Sequence, residues 1–129
     1  MGELSLLQRR ILAILEEAGE DNLSALINTV NPHHASVDDL DTVSTALSDL
    51  VSSGLVNLAR VRDEVSRGWI PLPFEDSIRV LANLRSVLSW SAGPRVWVWQ
   101  SNELLPRVVV TKLGEALARK VLAEDGYPA

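Results

Sequence analysis

The sequence predicts an α+β fold in which three N-terminal helices precede a small β-sheet, a helical insertion interrupts the sheet, and a C-terminal helix follows it. Two patterns support this. Apolar residues recur at steps of three and four through the N-terminal part, which is the period of a helix buried on one face. Short alternating runs rich in β-branched residues come only later, as expected for strands. A chain of 129 residues fits one domain, residues 1–129, with the insertion at approximately 63–106.

The first two helices are predicted from amphipathic periodicity and from their boundaries. The first covers residues 3–18, with most of its apolar side chains on one stripe. Leu6 and Leu12 lie off that stripe and widen the apolar surface, which suggests a partner. The second covers residues 22–30 and is capped by Asp21 or Asn22. It stops at Asn31-Pro32, because a proline disfavours the helical conformation of the residue before it.

The third helix, predicted over residues 37–53, is the most informative segment. Ser36 is a natural N-cap, and Gly54 suits the left-handed position just past the last turn. The chain then continues directly as a strand, predicted over residues 55–62. The apolar face of the helix consists of Val37, Leu40, Val43, Leu47, Leu50 and Val51.

The remaining elements follow from the same two periods. A helix is predicted over residues 75–90, and strands over residues 95–100 and 107–111. A last helix is predicted over residues 112–124, with Thr111 as its cap.

Two motifs stand out, ALSDLVSSGLV at residues 46–56 and VTKLGEAL at residues 110–117. They resemble motifs of the winged helix-turn-helix family of prokaryotic transcriptional regulators. The first is similar to the ALxxLVxxGLV that closes the DNA-reading helix and opens the wing, and the second to the LTxxGxxxL that follows the second wing strand. The resemblance implies a winged-helix domain with a structured insertion in its wing. It further implies a homodimeric, cytoplasmic transcriptional regulator that binds double-stranded DNA.

This resemblance assigns DNA contacts to the polar face of the third helix and to the strand and wing after it. No Arg or Lys lies between Arg10 and Arg60, although phosphate neutralisation dominates DNA affinity. The candidate DNA-binding residues are Thr42, Thr45, Ser48, Arg60, Arg62 and Arg67. One continuous stripe of Arg60, Arg62, Arg67, Arg107 and Lys112 beside the helix would favour DNA, and scattered cations would favour protein contacts.

Negative charge opposes the DNA assignment. The net charge is −5, with −7 in the first 54 residues and +2 in the rest. Asp38 and Asp39 lie in the first turn of the third helix, where the helix dipole favours carboxylates. Asp41 and Asp49 lack that explanation. They are either solvated or dock on a basic protein, and in the second case the domain is a winged-helix interaction module that binds no DNA.

The insertion holds all four tryptophans and the only phenylalanine: Trp69, Trp90, Trp97, Trp99 and Phe74. Val96 and Val98 alternate with two of the tryptophans, so both faces of that strand are apolar. Three interpretations follow: ordinary core packing, a homodimer surface, or a pocket for a small apolar ligand. We favour a homodimer surface over a ligand site, with core packing as the main alternative.

Other chemistry has little support in the sequence. There is no cysteine, and His33-His34 is an isolated pair on a connector, so we expect no metal site. A Gly-x-Ser-x-Gly elbow and a glycine-rich phosphate loop are both absent, so we expect neither an enzyme nor a cofactor. The longest uncharged stretch is too polar to span a bilayer, and cytoplasmic residence without a membrane partner is our expectation.

Overall fold

The structure is a computed structural model that describes residues 4–18, 20–30, 36–61, 69–100 and 105–125. Within these ranges the chain forms helices and short strands, as the α+β prediction requires. In chain order they are α1 (Leu6–Ala18), β1 (Glu20–Asn22), α2 (Leu23–Val30), α3 (Val37–Ser52), β2 (Val56–Val61), β3 (Trp69–Pro71), α4 (Phe74–Ala82), α5 (Leu84–Val87), β4 (Leu88–Ser91), β5 (Val96–Trp99), β6 (Arg107–Val110) and α6 (Lys112–Asp125).

The described strands form two antiparallel sheets. The larger has the order β1-β6-β2-β3, and the smaller is the hairpin of β4 and β5. In the larger sheet Val56 lies opposite Val110, and Ala59 lies opposite Arg107. The strands before and after the insertion, β2 and β6, are therefore direct neighbours, although more than forty residues separate them in the chain.

A single hydrophobic cluster joins the N-terminal helices, the sheet and the insertion. Full burial of one of its leucine or isoleucine side chains is worth about 1.5–3 kcal/mol. The largest side chains that are fully buried include Ile11, Leu12, Leu15, Leu23, Leu26, Ile27, Leu40, Leu47, Leu50, Leu55, Leu58 and Leu81.

The ends of α3 lie close to the predicted positions and have the predicted caps. The Ser36 hydroxyl accepts an amide N–H of the first turn at 3.4 Å. Gly54 has a φ of 76°, in the left-handed region. The amides of Gly54 and Leu55 donate to the carbonyls of Val51 and Leu50, each at 3.0 Å, which satisfies the last turn.

The two family-like motifs contact each other. The Thr111 hydroxyl donates to the carbonyl of Gly54 at 2.7 Å and accepts the amide N–H of Gly114 at 3.0 Å, so it caps α6 as predicted. The Thr111 amide donates to the carbonyl of Leu55 at 3.0 Å. A Cβ on Gly114 would lie 2.0 Å from that same carbonyl oxygen, so only glycine allows α6 to approach the exit of α3 this closely.

The prediction of one helix over residues 75–90 is wrong. The helix ends at Ala82, Asn83 leaves the helical conformation with φ −115° and ψ 23°, and a single further turn follows as α5. Residues 88–91 are a strand, because Leu88 pairs with Trp99 and Trp90 pairs with Trp97. The apolar spacing that suggested a longer helix also fits a strand that places Leu88 and Trp90 on one face.

Two strands of the larger sheet were not predicted. β1 is a run of Glu, Asp and Asn, residue types that are depleted in strands, and its extended backbone pairs with β6. Its last residue, Asn22, accepts the Ala25 amide at 2.8 Å and is the cap of α2. β3 covers the Trp-Ile-Pro segment and pairs with β2.

Candidate functional site

The solvent face of α3 is polar and carries no cation. The helix contains four aspartates and no basic residue. Its buried residues all face the core, so the opposite side is left for solvent or a partner. The exposed polar residues on that side are Asp38, Thr42, Thr45, Asp49 and Ser52.

The insertion packs along one flank of this face. The Ser44 hydroxyl of α3 donates to the Leu81 carbonyl of α4. The Arg85 guanidinium of α5 donates two hydrogen bonds to the Asp41 carboxylate, one of them from Nε to Oδ1 at 3.0 Å. Leu84, which lies between Leu81 and Arg85 in the sequence, is buried. Helices α4 and α5 of the insertion therefore pack against α3.

Arg85 changes the acid–base behaviour of Asp41. Its hydrogen bonds and its charge hold the pKa of Asp41 below the ordinary value of 3.8, and together they exceed the opposing effect of desolvation. Asp41 is therefore an anion at neutral pH. Since about half of its side chain is exposed, it stays accessible to a second cation.

On the other flank, an open groove runs between the start of α1 and the solvent face of α3. Its volume is about 560 Å³, and we call it the α1–α3 groove. Leu7 and Ala46 supply apolar surface, and two carboxylates supply charge. Its lining consists of Ser5, Leu7, Gln8, Asp41, Thr42, Thr45, Ala46 and Asp49.

A capping box fixes the α1 wall of the groove. The Ser5 amide donates to Gln8 Oε1 at 2.9 Å, and the Gln8 amide donates to Ser5 Oγ at 3.1 Å. This reciprocal pair holds the first turn and places Leu7 in the groove. Leu6, in the same turn, is 83% exposed, which is the greatest exposure of a large apolar side chain among the described residues.

The α1–α3 groove is electrostatically negative. Its lining contains Asp41 and Asp49 and no Lys or Arg. Among the described residues, Arg85 is the ion-pair partner of Asp41, and no cation lies within 4 Å of the Asp49 carboxylate. Asp49 also lies in the last turn of α3, where the helix dipole disfavours an anion.

The structure separates the candidate DNA-binding residues. Thr42 and Thr45 are exposed and line the α1–α3 groove, although the Thr42 hydroxyl donates to the Asp38 carbonyl at 3.0 Å. Ser48 is half-buried and lies one turn after Ser44, on the flank that faces the insertion. Arg62 and Arg67 lie outside the described residues.

The two arginines that the structure describes in the larger sheet, Arg60 and Arg107, lie on opposite faces of it. Arg107 lies opposite Ala59, and side chains directly opposite in an antiparallel pair lie on one face. Arg60 is the next residue after Ala59, so it lies on the other face. Arg60 is exposed at the strand end, and Lys112 is exposed at the start of α6. Arg60 and Arg107 therefore do not form one continuous stripe.

The tryptophans of the hairpin pack on the protein's own core. Trp90 and Trp97 are in edge-to-face contact, with ring centroids 5.5 Å apart and an interplanar angle of 69°. Trp97 is 7% exposed, and the half-buried Trp90 and Trp99 lie on the same face. Core packing accounts for these three positions, and the homodimer surface stays a prediction. Trp69 begins β3, and its side chain is outside the described part of the chain.

Asn28 of α2 ties the hairpin to the N-terminal helices. Its side-chain amide donates to the Trp97 carbonyl at 3.0 Å, and its carbonyl oxygen accepts the Trp97 amide at 2.8 Å. The Asn28 side chain thus makes the pair of hydrogen bonds that the backbone of a neighbouring strand would make at the edge of β5. Sequence reasoning missed both Asn28 and Arg85. The local signal for Asn28 was an amide side chain in a helix whose other polar residues, Ser24 and Thr29, carry only hydroxyls.

Among the described residues, no group of three His, Cys, Asp or Glu side chains could hold a metal ion. The pair His33-His34 lies outside those residues. The described helices also include none long and apolar enough to cross a bilayer. Comparison with protein-family models, curated proteins and solved structures finds no match for this chain.

Proposed function

We propose that this chain is a winged-helix interaction module that docks on a basic protein segment through the solvent face of α3. The winged-helix part is supported by the three N-terminal helices and by the pairing of β2 with β6, the two strands that the resemblance assigns to the wing. The docking part rests on one observation: the exposed face of α3 and the α1–α3 groove carry carboxylates and no cation.

Electrostatics favours protein over DNA at this face. A helix in the major groove lies between two phosphate backbones, and affinity comes mainly from Lys and Arg that neutralise phosphates. α3 would bring four aspartates to that position. The insertion also lies against one flank of α3 and would approach the same duplex.

The proposal is tested with defined probes on the full chain. We expect a labelled Lys/Arg-rich peptide to bind in fluorescence anisotropy, with an affinity that falls as salt rises. The variant Asp41→Lys plus Asp49→Lys should abolish this binding. The single variant Asp49→Lys leaves the Asp41–Arg85 ion pair intact and should weaken peptide binding. It therefore shows whether the loss of binding in the double variant could come from a folding defect.

A matched control is Glu17→Lys plus Glu75→Lys, which changes the net charge equally at exposed positions outside the groove lining. It should retain most of the peptide affinity. Equal reductions in affinity for both double variants would mean that only overall charge matters, and they would contradict the proposal.

A DNA-binding transcriptional regulator is the second candidate, and the exposure of Thr42, Thr45 and Arg60 favours it. It predicts salt-dependent duplex binding, with a salt slope that falls by about one when Arg60→Ala or Arg62→Ala removes a cation from a phosphate. The two candidate functions predict opposite effects of the variant Asp41→Lys plus Asp49→Lys on binding. Added cations on α3 should strengthen DNA binding and abolish peptide binding. No salt-dependent duplex binding by folded protein would rule out the DNA candidate.

A further inference from the structure

We infer that the α1–α3 groove takes an amphipathic basic helix, whose apolar side chain lies on Leu7 and Ala46 while flanking cations pair with Asp41 and Asp49. The inference rests on the proposed function and specifies its partner. A groove between two helices favours a helix as occupant, because amphipathic helices bind grooves through residues at helical spacing.

The spacing of the carboxylates sets the pattern of the partner. Asp41 and Asp49 are eight residues apart on α3, about 12 Å along the helix axis at 1.5 Å per residue. Cations eight positions apart on a partner helix span the same distance, and cations seven apart span about 10.5 Å, which flexible Arg or Lys side chains can make up. Thr45 lies between the two aspartates, and the apolar part of the lining is formed by Leu7 and Ala46. An apolar partner residue is therefore expected midway between the cations.

The two carboxylates offer different binding sites. Asp49 has no cation within 4 Å among the described residues, so a partner cation would have no competitor there. Asp41 already binds Arg85, which shows that a guanidinium fits against this carboxylate. Its two oxygens have about four lone-pair sites, and with half of the side chain exposed a second cation can share it.

The exposed Leu6 adds apolar surface next to the groove, since it lies between two residues of the lining, Ser5 and Leu7, although it is not part of the lining itself. It adjoins Leu7 in the first turn of α1, and the capping box fixes that turn. A basic segment bound only by charge would leave this leucine in water. We expect an amphipathic helix seated on Leu7 to reach this neighbouring leucine as well, which distinguishes the inferred partner from a merely polybasic one.

The test uses isothermal titration calorimetry to measure the affinity of the full chain for two synthetic helical peptides of equal charge. One has Arg at positions seven apart with a Leu midway, and the other has Gln in place of that Leu. We expect the Leu peptide to bind about tenfold more tightly, the effect of burying part of a leucine side chain. Leu7→Ser should remove most of this preference and Leu6→Ser should reduce it, whereas Leu113→Ser, which changes an exposed leucine on α6, should leave it unchanged.

The outcomes separate the two proposals. Equal affinity of the two peptides, with no effect of Leu7→Ser, overturns the amphipathic partner and leaves a purely electrostatic docking face. An Asp49→Lys variant that binds both peptides as tightly as the unchanged chain overturns the docking function as well. Sedimentation that shows a dimer dissociating in the Leu6→Ser variant would make a second copy of this chain the occupant and would overturn the inferred partner.

Discussion

The tryptophan hairpin and the solvent face of α3 both stand out in the sequence as candidate surfaces, and the fold uses them in opposite ways. Trp97 is almost fully buried, and the backbone polar groups at its edge bind Asn28. The α3 face instead leaves Asp49 with no cation within reach among the described residues.

The difference has a physical cause. Burial of a large aromatic ring removes apolar area from water, so a small domain gains stability by turning its tryptophans inward. An unpaired carboxylate cannot be buried at an acceptable free-energy cost, so aspartates stay at the surface unless a cation joins them. Concentrated aromatic residues thus give weak support to a binding surface, whereas an exposed carboxylate beside a groove stays within reach of a partner's cation.

The largest expected effect tests the structural role of the hairpin. Trp97→Ala should lower the free energy of unfolding by about 3–5 kcal/mol, because it removes a large buried side chain and leaves a cavity. Urea unfolding followed by circular dichroism measures the decrease. Val98→Ala is the matched control on the opposite face of the same strand, where the side chain is 37% exposed, and its cost should be much smaller. Similar decreases would mean that both faces are covered, as in a homodimer built on this hairpin.

An intermediate effect is expected at the link between the hairpin and α2. Asn28→Ala removes both hydrogen bonds to the backbone of Trp97 and should cost about 1–3 kcal/mol in the free energy of unfolding. Asn28→Asp keeps an acceptor for the Trp97 amide but places a carboxylate against the Trp97 carbonyl, so it should not rescue stability. Calorimetric melting measures both variants, and the affinity for a basic peptide should be unchanged in each. A weaker peptide affinity would connect the hairpin to docking.

The sequence predicted the parts of the fold that depend on local signals. The ends of α3 follow from Ser36 and Gly54, since caps act through hydrogen bonds within one turn. The helix over residues 75–90 failed because Leu88 continues the helical spacing of Leu81 and Leu84 but fits a strand equally well, and the choice depends on a partner strand that follows in the chain. β1 failed for a similar reason, since pairing with β6 overrides its poor strand propensity.

The candidate site shows the same limit. Periodicity placed Thr42 and Thr45 on the solvent face of α3, where the structure has them. It could not show that Ser5 and Gln8 form the opposite wall of a groove, or that Arg85 binds Asp41 from 44 residues away. Such contacts depend on how the helices pack, and no local pattern encodes them.

The smallest expected effect concerns the ion pair of Asp41 with Arg85, which joins α3 to helix α5, directly before the hairpin. Because the pKa of Asp41 is lower in the folded chain than its ordinary 3.8, the pair stabilises the fold fully above that value. The contribution disappears as the pH falls through the lower folded value. The difference in melting temperature between the unchanged chain and Asp41→Asn should therefore be small but measurable at neutral pH and should vanish in strong acid.

Arg85→Gln should reproduce this difference in melting temperature, and the double variant should be no less stable than either single one. An undiminished difference in acid would show that Asp41 acts through packing, and the insertion would then be held on α3 by Ser44 and the buried leucines rather than by charge.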